Sequence, residues 1–564
     1  MKTLLKNGTV INVFTGELER ANVLLEDDRI IGVGDYLDGE ADTVEDVTGK
    51  FICPGFIDGH IHIESSMLLP PEFVRIALPH GTTSMVTDPH EIANVCGKAG
   101  ISYMLAASEG LPMTIYVMLP SCVPATKFDE AGAVLTAEDL DEFYTHPRVL
   151  GLAEVMNYPG VIARDETVME KIAAAREKGK RVNGHAPLLS GKALDRYIAA
   201  GIYDDHECSS FEEAAERIRK GQWIMIRRGT AARNLEGLLP LFDDPYRHRC
   251  LLVTDDKYPA DIMRNGHIDY IIRRAAGYGK KAITGIQMAT IQAAQYFGLK
   301  DLGAVAPGYI ADILVLSDLN TVEVEKVYKN GKKVAENGEA FSFEKPEIPE
   351  ALKREVCGSF YLKPLREEDF HLPYSDARMC RVIGLLPNQL LTEERHETID
   401  FSKGNGIELE RNIAKIAVIE RHHQTGHIGL GLVKGLGMKT GAIASSVSHD
   451  SHNLIVAGVS ETDMAFAANR IRELGGGMVV VREGQVLAEL TLNYGGLMSD
   501  GLAPDVVERD RAVRRAVAEL GIPQTVQPFM TTAFVSLSVI PHLKLTTVGL
   551  IDVDSQEIVP FTVR

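Results

Sequence analysis

No Cys-x-x-Cys pair occurs among the seven cysteines, which stand at positions 53, 96, 122, 208, 250, 357 and 380. Their spacing argues against a structural zinc knuckle and against a disulfide framework, and it suits a reducing compartment. Long apolar runs are missing too: none reaches the ~18 residues needed to span a bilayer. The opening Met1-Lys2-Thr3-Leu4-Leu5-Lys6-Asn7-Gly8 lacks the apolar core of a signal peptide, so we expect a soluble, cytoplasmic protein. Positive charge is in deficit, with 59 Lys and Arg against 78 Asp and Glu and a net charge of −19 spread along the chain. That balance predicts no nucleic-acid partner and no anionic membrane surface, because both need a basic face. A nucleobase as a small substrate remains compatible with it. What is present, 45% hydrophobic and 24% charged residues, is ordinary for a globular protein.

The 564 residues suffice for several domains. Residues 1–53 read as short strands separated by turns. The same texture returns at 311–316 and 324–328, ending in the Asn-Gly hairpin signal Lys329-Asn330-Gly331-Lys332. Residues 1–53 and 301–345 are therefore expected to build one small β-sandwich around the ends of the region between them. In that region, 54–300, apolar strand candidates at 56–63, 83–90, 114–121, 149–156, 181–187, 202–208, 223–229 and 250–256 alternate with helical stretches. Alternation of this kind predicts a parallel sheet, and eight units over about 250 residues predict an α/β fold, a (β/α)8 barrel. Residues 346–564 mix strands and helices and read as a C-terminal α+β domain.

Barrel enzymes keep their chemistry at the C-terminal strand ends. The first strand ends in Gly59-His60-Ile61-His62, where alternation puts both imidazoles on one face. The second ends in Asp88-Pro89-His90-Glu91, the fourth carries Glu154, the fifth His185, the sixth His206 and the eighth Asp255-Asp256. Six of eight ends thus bear His, Asp or Glu on otherwise apolar strands. Ser121-Cys122 at the third end is uninformative, and Arg227-Arg228 closes the seventh.

Four imidazoles with two or three carboxylates suit divalent first-row metals such as Zn, Fe(II), Mn or Co, in numbers sufficient for two ions. Glu154, from a middle strand, is the candidate bridge between them. A metal pair lowers the pKa of water enough to supply hydroxide near neutral pH. Asp255 is the candidate general base. The chemistry expected is attack of water on an electrophilic carbon.

A leading β patch, Pro54-Gly55-Phe56-Ile57-Asp58-Gly59-His60-Ile61-His62, strand-end ligands and a returning β patch resemble the amidohydrolase superfamily. More narrowly, Gly59–Met67, Thr87–Val95, Asn157–Val161, Asp205-His206-Glu207 and Thr254–Lys257 resemble the bacterial adenine deaminase family, as do Val447–Asn453, Gly496–Ser499 and Val539–Thr546. The resemblance implies hydrolytic deamination of adenine to hypoxanthine and ammonia, in purine salvage, with two divalent metals, Mn or Fe(II) in the first place and Zn as an alternative. By matched position His60, His62, Glu154, His185, His206 and Asp255 are the implied metal and catalytic set. No lysine ends the fourth strand, so a carboxylated-lysine bridge is absent and Glu154 takes its place. The His-x-Glu with Pro-Cys-x-x-Cys signature of cytidine-type zinc deaminases is also absent.

Asp88 and Glu91 are expected to contribute to catalysis, and His90, Ser66, Arg227, His449 and His452 to contact substrate. Two readings stay open for Asp88, His90 and Glu91: contact with the purine or proton relay, or orientation of the ligand histidines. Arg227, with Arg228 and Arg233, either lines the mouth or is solvated charge. Ser448-His449-Asp450-Ser451-His452 is read as a loop over the barrel mouth, as a further metal site or as structural polar packing. Competing readings of the whole are a cyclic amidase, a barrel that lost its metal and serves as a scaffold, and a deaminase of modified purines. Amidase chemistry of that kind usually rests on the bridging lysine, and a scaffold should show gaps among the strand-end ligands. A homodimer is expected, since two-fold dimers are the commonest oligomers.

Overall fold

Fully buried apolar runs fix the strands at the centre of the molecule. Cys250-Leu251-Leu252-Val253 and Phe56–Ile61 have no exposed residue, the pattern of parallel strands covered on both faces. The computed structural model describes residues 1–230, 232–386 and 391–563. It contains all eight anticipated strands: β1 (Phe56–Ile61), β2 (Thr82–Thr87), β3 (Thr114–Leu119), β4 (Val149–Val155), β5 (Arg181–Gly184), β6 (Asp204–Asp205), β7 (Trp223–Arg227) and β8 (Cys250–Val253).

Strands β1 to β5 pair in sequence order in one parallel sheet, and β6 to β8 in another. Two seams join them. At β5/β6, Asp204 stands in for the ladder: its carboxylate accepts the Gly184 N–H at 2.8 Å and the Asn183 amide at 2.6 Å. A Cβ on residue 184 would fall 2.1 Å from the Asp204 carbonyl oxygen, so the approach requires glycine there. At β8/β1, the Asp255 N–H donates to the His60 carbonyl at 2.9 Å, and Ile61 and Asp255 form a parallel bridge. The barrel is thereby closed, as the alternating pattern predicts. Ile57, Val86, Met118, Ala153, Met225 and Leu251, from six different strands, share one core with Tyr296 and Phe297 of the helix Ile291–Phe297.

The chain divides into two compact units. The first comprises Met1–Pro89, Met104–Ser121 and Leu140–Glu347 and holds the barrel. It also holds a four-stranded and a seven-stranded sheet, built from the N-terminal residues together with Ile313–Ala340. Leu5, Val23, Leu25 and Ile30 of the smaller sheet share a core with Val10, Ile52, Ile313 and Val315 of the larger.

The second unit comprises His90–Tyr103, Cys122–Asp139 and Ile348–Arg564. Its centre is an eight-stranded sheet, antiparallel except where Ala377–Leu385 meets Ile428–Lys434. The helix Glu461–Leu474 buries Met464, Ala467, Ala468 and Ile471 against Ala417, Val456 and Val479 of that sheet. Their spacing is the apolar stripe of a helix that covers a core.

Candidate active site

The strand ends of the barrel bring His60, His62, Glu154, His185, His206 and Asp255 into one buried cluster. Glu154 lies at its middle and turns one oxygen to each side. Its Oε1 is 3.3 Å from His62 Nε2 and 3.9 Å from His60 Nε2. Asp255 Oδ1 completes that group, 3.3 Å from His62 Nε2 and 3.8 Å from His60 Nε2. Glu154 Oε2 faces the other way, 2.6 Å from His185 Nδ1 and 3.1 Å from His206 Nε2.

The backbone explains the precision. His62 Nδ1–H donates to the Asp88 carbonyl at 3.0 Å, which turns Nε2 toward the two carboxylates; burial opposes its charge, but Asp255 and Glu154 hold its pKa well above the usual value. The Tyr197 hydroxyl accepts the His185 N–H and donates to the Val155 carbonyl, both at 2.9 Å, tying His185 to the strand that carries Glu154. Asp205 accepts the N–H groups of Ala186 at 2.9 Å, just past β5, and of Glu207 at 2.8 Å, two residues further along its own segment. Asp255 adopts a φ of 58°, in the left-handed region that asparagine and aspartate reach most readily among non-glycine residues.

Arg227 is buried inside this cluster. Its Nη1 donates to Asp255 Oδ2 at 2.8 Å and to Glu207 Oε1, and its Nη2 donates to Glu207 Oε2 at 3.0 Å. Burial opposes ionisation of Asp255 and Glu207, and Arg227 leads the groups that hold both carboxyls below their ordinary values. Burial also opposes ionisation of Glu154, but the His185 and His206 imidazoles outweigh it and keep Glu154 well below the carboxylate range. His206 is pushed up to about 9 by Glu154 and Glu207 in spite of burial. Burial and the neighbouring imidazoles of His206 and His62 push His60 well below its usual value. A pocket that raises an imidazole against the cost of burial is one that stabilises added positive charge.

The donor set fits divalent metal ions. Four imidazoles and three ionised carboxylates converge, and His60 Nε2 is buried with no hydrogen-bond partner among the described residues. The two oxygens of Glu154 divide the donors into two groups.

Asp88 presents a carboxylate oxygen within 4.8 Å of ligand atoms on His62 and Glu154. Ser66 is buried, its hydroxyl donating to the Ile63 carbonyl at 2.6 Å and accepting the Leu68 N–H at 3.2 Å within its own turn. His90, Glu91, His449 and His452 belong to the second unit. Glu91 there accepts from two histidines: Oε1 is 2.8 Å from His449 Nδ1, and Oε2 bonds His452 Nε2. His90 Nε2 is 3.6 Å from Glu91 Oε1. The Ser448 N–H donates to His452 Nδ1 at 3.2 Å. A backbone amide is always a donor, so neutral His452 carries its proton on Nε2 and gives it to Glu91. Burial pulls His452 down to about 4, which keeps that neutral form. His449 stacks on Phe534 with ring centroids 4.5 Å apart.

Known proteins are similar to this chain over nearly its full length. Residues 51–334 match the amidohydrolase family, and residues 389–557 match the adenine deaminase C-terminal domain. Adenine deaminase 2 of Carboxydothermus hydrogenoformans is 49% identical, over 99% of this chain and 96% of that protein. The chain belongs to the adenine deaminase family. Adenine deaminases of Oceanobacillus iheyensis (44% identical, 97% and 94% of the two chains) and Dehalococcoides mccartyi (42%, 99% and 96%) are similar throughout as well. As an amidohydrolase the chain is a metal-dependent hydrolase, and the cluster around Glu154 is a group of side chains able to bind metal.

Glu207 is the member of this cluster that strand periodicity does not reveal. Alternation would turn it away from the face that carries its neighbour His206. β6 is only two residues long, however, and ends at Asp205, so His206 and Glu207 lie beyond the pleat and both face inward.

Proposed function

We propose that this chain deaminates adenine hydrolytically, releasing hypoxanthine and ammonia in purine salvage. One observation carries the reading: Glu154 turns one oxygen to His60 and His62, which Asp255 also faces, and the other to His185 and His206. We propose these six residues as the ligands of two divalent ions, Mn or Fe(II) with Zn as the alternative. Bound there, such ions supply Lewis acidity and make hydroxide available near neutral pH.

The protein's own groups then manage the protons. Asp255, kept ionised by Arg227, accepts the proton of the water that adds to C6 of adenine. Negative charge moves to a ring nitrogen, which must be protonated; Asp88 is proposed for that transfer, with Glu91 passing on a proton from the histidines it pairs with and His90, His449 and His452 as substrate contacts. The C6–N bond breaks as the amino group takes the proton held by Asp255 and departs as ammonia, while the C6 hydroxyl returns its proton to the group that protonated the ring and becomes the carbonyl of hypoxanthine. Arg227 acts in this scheme through Asp255, and the Ser66 hydroxyl through the turn that follows His62.

Reduced cysteines, seven free thiols in all, support a reducing cytoplasm, and the net charge of −19 supports a small-molecule substrate over nucleic acid or membrane. No helix among the described residues is long and apolar enough to cross a membrane. A homodimer is the proposed assembly. The test is turnover by Mn- or Fe-loaded protein, following adenine absorbance together with ammonia. Adenine should be consumed while adenosine and dihydroorotate are not; a fully metallated sample that leaves adenine untouched refutes the substrate.

A further inference from the structure

We propose that Glu207 is a fourth donor at the His185/His206 position, so that each half of the site ends in its own carboxylate, Asp255 in one and Glu207 in the other. The proposal rests on the two-metal reading above.

Glu207 Oε1 lies 3.4 Å from His185 Nδ1 and 3.5 Å from His206 Nε2. These separations are too long for good hydrogen bonds, which run to about 3.2 Å. They match another geometry. Donor atoms held about 2.0–2.1 Å from one ion in tetrahedral array stand about 3.3–3.4 Å apart. His185 Nδ1 and His206 Nε2 are themselves 3.3 Å apart, and Glu154 Oε2 is 2.6 and 3.1 Å from them. Five separations among four donor atoms thus fall between 2.6 and 3.5 Å.

A plain counter-ion of Arg227 would need only to face the guanidinium. Glu207 does so with both oxygens, yet Oε1 is also held against the two imidazoles. The guanidinium in turn reaches Asp255 through Nη1. One cation therefore braces the terminal carboxylates of both halves, fixing their spacing and offsetting the repulsion between them.

The test measures metal rather than turnover. Apoprotein is titrated with Co(II), and equivalents bound are counted by elemental analysis and by visible absorption of the ion at nitrogen and oxygen donors. Wild type should bind two equivalents. In Glu207→Gln the second should weaken by more than about 100-fold, beyond the range for losing a residue that only orients a ligand. Its absorption band should change while the first equivalent keeps its affinity. Glu207→Asp, which keeps the charge but shortens the reach, should retain two equivalents with a shifted second band. It decides the matter if the glutamine variant does not fold. Two equivalents with unchanged affinity and spectrum in these variants overturn the role of Glu207 alone. Failure of wild type to bind two equivalents overturns the two-metal reading itself.

Discussion

Arg227 Nη1 stands 2.8 Å from Asp255 Oδ2, and both groups are buried. A guanidinium so placed keeps the candidate base ionised before substrate arrives, because an adjacent opposite charge favours the charged form. Replacing it by glutamine removes the main group that offsets the burial of Asp255. The folded pKa of Asp255 then rises, so the form able to accept a proton is lost at a higher pH. Arg227→Gln is expected to lower kcat by about 100-fold, within the usual range for general base catalysis. The acidic limb of its pH–rate profile should move upward. An unmoved limb would place Arg227 outside the proton path.

Glu154 serves two groups of donors with two oxygens. The amide of glutamine has one carbonyl oxygen and cannot repeat this. Glu154→Gln should lose about 1,000-fold or more in turnover, and elemental analysis should find less than two equivalents of metal. Full metal content with near-normal turnover would rule out a shared carboxylate.

His452 gives Glu91 a proton whose position the Ser448 amide sets. His452→Ala leaves a buried carboxylate short of a partner, at a cost of about 3 kcal/mol. Thermal unfolding should show a clear drop in midpoint, and His452→Gln, which keeps an N–H donor, should recover part of it. Equal midpoints for the alanine and glutamine variants would show that the donated proton is unimportant.

Lys544 donates to the Phe534 carbonyl at 3.0 Å, and burial pulls its ammonium down to about 7. The unfolded chain, with an ordinary lysine pKa near 10.4, therefore binds this proton more tightly between those two values. Stability from this group rises with pH across that window by up to about 1.4 kcal/mol per unit and is lost as pH falls toward 7. Lys544→Met should remove that slope, seen as a variant-minus-wild-type midpoint difference that shrinks toward high pH. A constant difference would contradict the shift.

The barrel was readable because its strands are short apolar runs with ligands at their ends, and burial on both faces makes such runs conspicuous. His60, His62, Glu154, His185, His206 and Asp255 converge for the same reason: parallel strands deliver every C-terminal end to one rim. Arg227 was visible as half of an arginine pair, but its partners lie 20 and 28 residues away, just past the ends of other strands, and no local pattern reports them. Arg228 is likewise buried and paired, 2.9 Å from Glu236. His452 and Glu91 are separated by 361 residues, so their pairing belongs to tertiary packing alone. The division of the chain is equally non-local. Residues 90–103 and 122–139 sit within the stretch that alternation assigns to the barrel, yet they pack with residues 348–564.

The seam between β8 and β1 carries a temporal meaning. Asp58 accepts the backbone N–H of Thr254 at 3.1 Å and its hydroxyl at 2.5 Å across 196 residues, beside the proposed ligands His60 and Asp255. A ribosome adding about 5–20 residues each second would take roughly 10–40 s to travel from one edge to the other. During that interval the emerging chain has the first histidines and no closing carboxylate. A site that needs all six proposed donors is thus complete only once synthesis has passed the last strand and the circle has shut.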